Sequence, residues 1–210
     1  MIITYHGAGM VKVSQGEWLA VFNPISKDSK FKPSRGGADL ALVALNDPSY
    51  NGVDEATFGD RTPFVIDGPG EYEMAGTFIH GFESSGPAAG GVNPDSKINT
   101  IFDLALEGKR LVHLGALTDV ELVPDTKEAL LPIDILFVPV GAPLLTPAAA
   151  YRLATSLNPR LIIPVSYTSE SLKQFLKEAG EEGLKPVDKL VIKGKELAEK
   201  EGEVLVLEAV

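Results

Sequence analysis

Chemistry at neutral pH needs side chains that hold an ion, move a proton or attack a carbon, and this chain arranges few of them usefully. Histidine occurs three times, as His6, His80 and His113. None is spaced H-x-H, H-x-x-H or H-x-x-x-H, the separations that let two imidazoles share one ion. Each falls singly in or beside a predicted strand, where a histidine is more often a satisfied structural residue than a ligand. Cysteine is absent, which removes disulfides, thiolate metal sites and cysteine nucleophiles together. Glu71 and Glu73 share one face of a strand and imitate an acid–base pair, although alternating carboxylates usually mark a solvated strand face. The chain has no G-x-S-x-G nucleophile elbow and no Walker-type glycine loop. Gly7-Ala8-Gly9 leads from one strand into another, so it reads as a hairpin turn and not as a dinucleotide fingerprint.

The elements that must position these residues change character along the chain. Ile2–His6, Met10–Val13 and Trp18–Phe22 are short apolar runs separated by glycines, as in a meander of hairpins. Asn23–Gly37 is a Pro- and Gly-bearing loop, Asp39–Leu45 a buried strand, and Asn46–Gly52 a turn-rich loop leaving its end. Phe64–Asp67, Glu71–Glu73, Thr77–Phe82, Asn99–Leu106 and Arg110–His113 read as further strands, with a Gly/Pro/Ser-rich stretch over Ser84–Asp95. After that, helices over Asp125–Leu131, Pro147–Leu157 and Ser169–Ala179 alternate with strands over Ile133–Val138, Arg160–Val165, Lys189–Ile192 and Glu203–Leu207. Thr146 is placed to cap the second helix, with Pro147 in its first turn. This order predicts an α/β protein of two packed sheets with helices outside, as a single domain over residues 1–210.

Composition narrows the partners. A formal net charge of −10 over 210 residues opposes binding to a phosphate backbone or an acidic membrane surface, because both depend on clustered Lys and Arg. No apolar run approaches the roughly 18–20 residues that span a bilayer. Met1–Tyr5 lacks the charged start of a signal peptide, so a cytoplasmic location is expected. The loop Val140–Leu145 is apolar, either a contact surface or packing beneath the mouth of a pocket.

Four segments, in order, resemble the metallo-β-lactamase fold superfamily, in the branch of small bacterial and archaeal metal-dependent hydrolases (the lactamase-domain-3 type). Tyr5-His6-Gly7-Ala8-Gly9 stands where that branch has an aromatic–Leu–Gly–His start. Asp67-Gly68-Pro69-Gly70-Glu71-Tyr72-Glu73 follows its P-G-E-Y-E stretch, and His113-Leu114-Gly115 its H-L-G-D. Ile135–Gly141 and Asn158–Pro164 follow its late strands. The resemblance implies a four-layer αββα sandwich and a hydrolase with two metal ions.

The ligand positions are where the likeness fails. The family's H-x-H-x-D-H loop aligns with Leu45-Asn46-Asp47-Pro48-Ser49-Tyr50, so Leu45 and Asp47 replace two histidines, Ser49 the aspartate and Tyr50 the last histidine. Ala116 replaces the bridging aspartate, Ser166 the final histidine, Asn23 a supporting aspartate and Ala8 the opening histidine. No histidine occurs between Gly81 and Val112. Two close metal ions need several neutral imidazoles and a carboxylate, and this set supplies almost none. The resemblance therefore implies no catalytic residues, no metal and no cofactor, with Leu45, Asp47, Ser49, Tyr50, Ala116 and Ser166 lining a vestigial pocket. The expected role is a binding, regulatory or assembly subunit, for an unidentified small molecule or protein partner or for a second copy of the chain. A hydrolase acting on an ester or phosphodiester with an unusual or absent metal site, using Tyr50, Ser49, Ser166 or His113, is the alternative. Asp47, Ser49 and Tyr50 with Asp54 or Asp60 could also hold Mg²⁺ or Ca²⁺, although acids in a surface loop are ordinarily solvated.

Overall fold

The computed structural model describes residues 1–87, 98–194 and 196–210, and the expected stretch Ser84–Asp95 lies partly outside them. The first sheet gathers β1 (Ile2–Tyr5), β2 (Val11–Gln15), β3 (Trp18–Phe22), β4 (Leu40–Leu42), β5 (Phe64–Ile66) and β12 (Leu190–Val191), in the order β12-β1-β2-β3-β4-β5. The second gathers β6 (Gly70–Met74), β7 (Thr77–Ser85), β8 (Ile98–Leu106), β9 (Lys109–His113), β10 (Ile135–Pro139), β11 (Leu161–Val165) and β13 (Glu203–Val204), in the order β13-β11-β10-β9-β8-β7-β6. Both sheets are mixed. Strands β3, β4 and β5 run parallel, as do β9, β10, β11 and β13, while the hairpins are antiparallel.

Alternation explains how the sheets face each other. Ile3 and Tyr5 of β1, Val11 and Val13 of β2, and Ala20 and Phe22 of β3 turn inward against Phe102 and Leu104 of β8, Ile135 and Phe137 of β10, and Ile163 of β11. Each fully buried Leu or Ile in this layer contributes on the order of 2 kcal/mol of transfer free energy. Strands β10 and β11 are buried on both faces, as parallel strands under helices must be, which is why they read as unbroken apolar runs. Helices α1 (Pro124–Ala129), α2 (Pro147–Ser156) and α3 (Ser169–Ala179) cover the outer face of the second sheet, with Leu130, Leu153, Ala154 and Phe175 in that layer. Thr146 does cap α2, its hydroxyl accepting from the Ala149 amide at 3.3 Å.

Loops cover the outer face of the first sheet, where none of the described residues is α-helical. The chain between β3 and β4 brings Ile25 and Ala38, and a 3₁₀ turn at Val53–Ala56 between β4 and β5 brings Ala56, onto Ala41 and Val21. The expected strand Asp39–Leu45 is shorter, Leu40–Leu42, because the chain leaves the ladder after Leu42. There Val43 still donates to Ile66 O at 2.8 Å, but Ala44 N turns to the Asn23 side chain at 2.9 Å. The Ala44 carbonyl accepts from Thr100 N of β8 at 2.9 Å, joining the two sheets through backbone. Among the described residues no helix is long and apolar enough to cross a membrane.

Candidate functional site

The chain segments leaving the C-terminal ends of β3, β4, β9, β10 and β11 meet the β1–β2 hairpin at one end of the sandwich. In open α/β sheets this is the end at which ligand sites form. Leu45 follows β4, Ala116 follows β9 and Ser166 follows β11, while Tyr50 closes the turn after Leu45. The structure brings Leu45, Tyr50 and Ala116 into one apolar cluster, all three almost fully buried, with the partly buried Leu144 packed against them. Leu144 belongs to the loop after β10 and was not singled out by the sequence. Val140 and Leu145 are buried in the helical layer, while Ala142 and Pro143 between them are exposed.

The polar candidates are turned to local tasks. Asp47 caps its own turn, with Oδ1 accepting from Ser49 N at 2.8 Å. Its carbonyl accepts from Tyr50 N and Asn51 N. The Ser49 hydroxyl lies 3.1 Å from that of Ser29. Ser166 adopts a positive φ of 56°, with its amide 2.6 Å from Ala8 O and 3.1 Å from the Tyr5 hydroxyl. Its Oγ is buried with no hydrogen-bond partner. It neighbours Tyr50 without a regular hydrogen bond. Burial holds the Tyr50 phenol above its ordinary range, Ser166 opposing the rise and Asp47 adding to it. Tyr50 is therefore neutral at physiological pH.

His113 is committed as thoroughly. Its ring is fully buried between Phe22 and Phe137, with centroids at 5.3 and 5.5 Å. Nδ1 accepts from Gly115 N at 2.9 Å, so Nε2 carries the proton and donates to Gly9 O at 3.0 Å. Burial drives its pKa down to about 3, against a weaker opposing pull from Gly9 O. A ring with both nitrogens occupied and no access to the cleft is not available as a base. His6 contacts Thr4 Oγ1 at 3.0 Å, and burial with the nearby Lys12 lowers it to about 4. His80 lies opposite Glu71 on β6 and Asp103 on β8. His6 follows β1, His80 lies in β7 and His113 ends β9. Glu71 and Glu73 are exposed on the edge strand β6, as solvated carboxylates are expected to be.

Two asparagines brace the cleft from behind, and sequence reasoning gave only one of them a place. Asn23 Nδ2 donates to Gly9 O at 3.2 Å while its Oδ1 accepts from Ala44 N. Asn99 Oδ1 accepts from Ala116 N at 2.6 Å, and its Nδ2 donates to Leu114 O at 2.9 Å and to Ser84 Oγ at 2.8 Å. A Cβ on Gly115 would stand 2.3 Å from Asn99 Oδ1, which fixes glycine there. The signal for Asn99 was an amide side chain near the start of a largely apolar strand.

A dinuclear metal centre does not fit this donor set. Among the described residues no group of three or more His, Cys, Asp or Glu side chains comes close enough to hold an ion. Asp54 and Asp60 do not join Asp47 in such a group. Two surface cavities lie elsewhere, one between α3 and Glu208, the other beside the 3₁₀ turn.

Two mixed sheets with helices on the outside, and a cleft at the carboxyl ends of their parallel strands, define a hydrolase-like metallo-β-lactamase fold. Residues 2–166 match the model of the Beta-lactamase superfamily domain, and the chain belongs to that family. A metallo-β-lactamase superfamily protein from Thermotoga maritima, assigned provisionally as a Zn-dependent hydrolase, is similar over 99% of both chains at 25% identity and a TM-score of 0.76. Igni18, a metallo hydrolase from Ignicoccus hospitalis, is similar over 91% of this chain and 99% of its own, at 14% identity and a TM-score of 0.61. YhfI from Bacillus subtilis, a metallo-β-lactamase fold protein, is similar over 99% and 97% at 10% identity and a TM-score of 0.62. No curated protein sequence matches the chain.

Proposed function

We propose that this protein keeps the hydrolase fold of its family without the metal chemistry, and acts in the cytoplasm as a single-domain binding, regulatory or assembly subunit. The observation that carries this reading is the contact of Leu45, Tyr50 and Ala116 with one another. At three positions that the family resemblance assigns to ligands, hydrocarbon and a neutral phenol meet where imidazoles and a carboxylate would be needed. Asp47 and Ser49 are engaged within their own turn.

Metal-free hydrolysis would need a hydroxyl activated by a neighbouring base. The unpartnered Ser166 Oγ beside Tyr50 is the one feature that favours it, and both ring nitrogens of His113 are already engaged by backbone. The deciding experiment is elemental analysis of gently purified protein, before and after equilibration with zinc and manganese, alongside a panel of ester and phosphodiester substrates. The expected result is substoichiometric metal throughout and no turnover. Stoichiometric metal would overturn the proposal, as would hydrolysis that disappears in the Ser166→Ala protein.

A further inference from the structure

We infer that Leu45, Tyr50, Ala116 and Leu144 form a metal-independent clamp, which holds the loops of both sheets together at the mouth of the cleft. This inference rests on the reading that the ligand set is lost, and goes beyond it by giving the replacement side chains a job. Loops at a metal centre are tied to one another through their ligands, and removing the ligands removes the tie. Here the same loops meet through apolar contact. Leu45 comes from the segment after β4 of the first sheet, Ala116 and Leu144 from segments after β9 and β10 of the second. The Tyr50 ring reaches further, lying over Gly9 of the β1–β2 hairpin, with its hydroxyl beside Ser166 after β11. Five chain connections thus converge on one small cluster.

Leu144 is the part of the clamp supplied by the loop after β10, and that loop is held in place. Gly141 N donates to Leu145 O at 2.7 Å and Leu144 N to Gly141 O at 2.9 Å, closing a tight turn. Ser171 at the start of α3 donates its hydroxyl to Val140 O at 3.2 Å. A Cβ on Gly141, whose φ is 110°, would fall 2.9 Å from that hydroxyl oxygen. Leu145 is anchored in the helical layer, so its neighbour is presented to the cleft from a fixed base. Trimming Leu144 removes contacts that no other side chain in this turn can replace.

The test compares the wild-type protein with Leu144→Ala, the milder Leu144→Val and the volume-conserving Leu144→Met. Each is melted with and without EDTA, and backbone amide exchange is followed. In a domain of this size Leu144→Ala should lower Tm by roughly 4 °C or more, Leu144→Val by less, and Leu144→Met hardly at all. Exchange should quicken in the alanine protein at Leu45–Tyr50 and at Ala116–Leu117, across the cleft from the substitution, and EDTA should move no Tm. The clamp is overturned if the alanine and valine proteins melt like wild type, or if faster exchange stays within Gly141–Leu145. EDTA lowering the wild-type Tm would overturn it too, by showing that ions hold the loops. The proposed loss of catalysis fails on a different measurement, metal content with turnover, so the two failures are separable.

Discussion

The Tyr50 ring lies directly over Gly9, so that a Cβ placed on Gly9 would stand 2.8 Å from Tyr50 Cε1 and 3.2 Å from Asn23 Nδ2. The Tyr50 phenol is therefore fitted to a glycine of the opening hairpin, and the two residues constrain each other.

Gly9→Ala follows from that fit. The added methyl meets an aromatic ring wedged in a buried cluster, which cannot rotate away as a flexible chain end would. The expected cost is about 1–3 kcal/mol, the usual range for overpacking, read as a shift of the urea midpoint with an unchanged slope. A second substitution, Tyr50→Ala, should recover part of the clash term in the double variant. An unshifted midpoint in the single variant would remove the fit.

Acid sensitivity follows from His113. Its folded pKa of about 3 lies below the ordinary 6.5, so below about pH 6.5 the unfolded chain takes up a proton that the folded chain refuses. Stability is fully present above that point and falls as pH drops toward 3, at up to about 1.4 kcal/mol per pH unit from this residue. Chemical denaturation between pH 7 and pH 4 should show the loss, and NMR should find the His113 ring neutral down to pH 4. A ring titrating near 6.5 in the folded protein would contradict the buried geometry.

Ala116→Asp introduces the carboxylate that the proposed loss of ligands assigns to this position. Surrounded by Leu45 and Tyr50, it would bring an unpaired charge into an apolar cluster, at a cost of roughly 3–5 kcal/mol. Burial favours the protonated form, so the deficit should shrink as pH falls from 7 toward the ordinary carboxylate value of about 4. Equilibrium unfolding at pH 7 and pH 5, with zinc present or absent, checks both points. Stoichiometric zinc bound by this variant would show that the remaining residues are a nearly complete ligand set.

Much of the fold is legible in the residues, and the reasons are specific. Trp18–Phe22 and Ser169–Ala179 are read with their observed ends, one a compact apolar run, the other an amphipathic helix between a threonine cap and a C-terminal glycine. The end of β4 is not legible. Val43, Ala44 and Leu45 are as apolar as the strand before them, and only tertiary partners, Asn23 and Thr100, draw the backbone out of the ladder. The loop over the first sheet is legible, because Pro24, Pro33 and the Gly36-Gly37 pair interrupt any regular element in that stretch.

The candidate site is legible in its positions more than in its physics. Motif alignment picks out Leu45, Tyr50 and Ala116, which do meet. It leaves out Leu144, whose loop has no motif of its own, and Asn99, whose role depends on the Ala116 amide lying beside its side-chain oxygen. Side-chain identity marks where the cleft lies. Contact alone shows that it is filled.

The hydrogen bond from Thr100 N to Ala44 O has a consequence for what this scaffold tolerates. It stitches the two halves of the sandwich through peptide groups, which every residue except proline supplies in full. A substitution at Leu45 or Ala116 can therefore loosen the packing of the cleft while this seam between the sheets, which contains no side chain, stays closed.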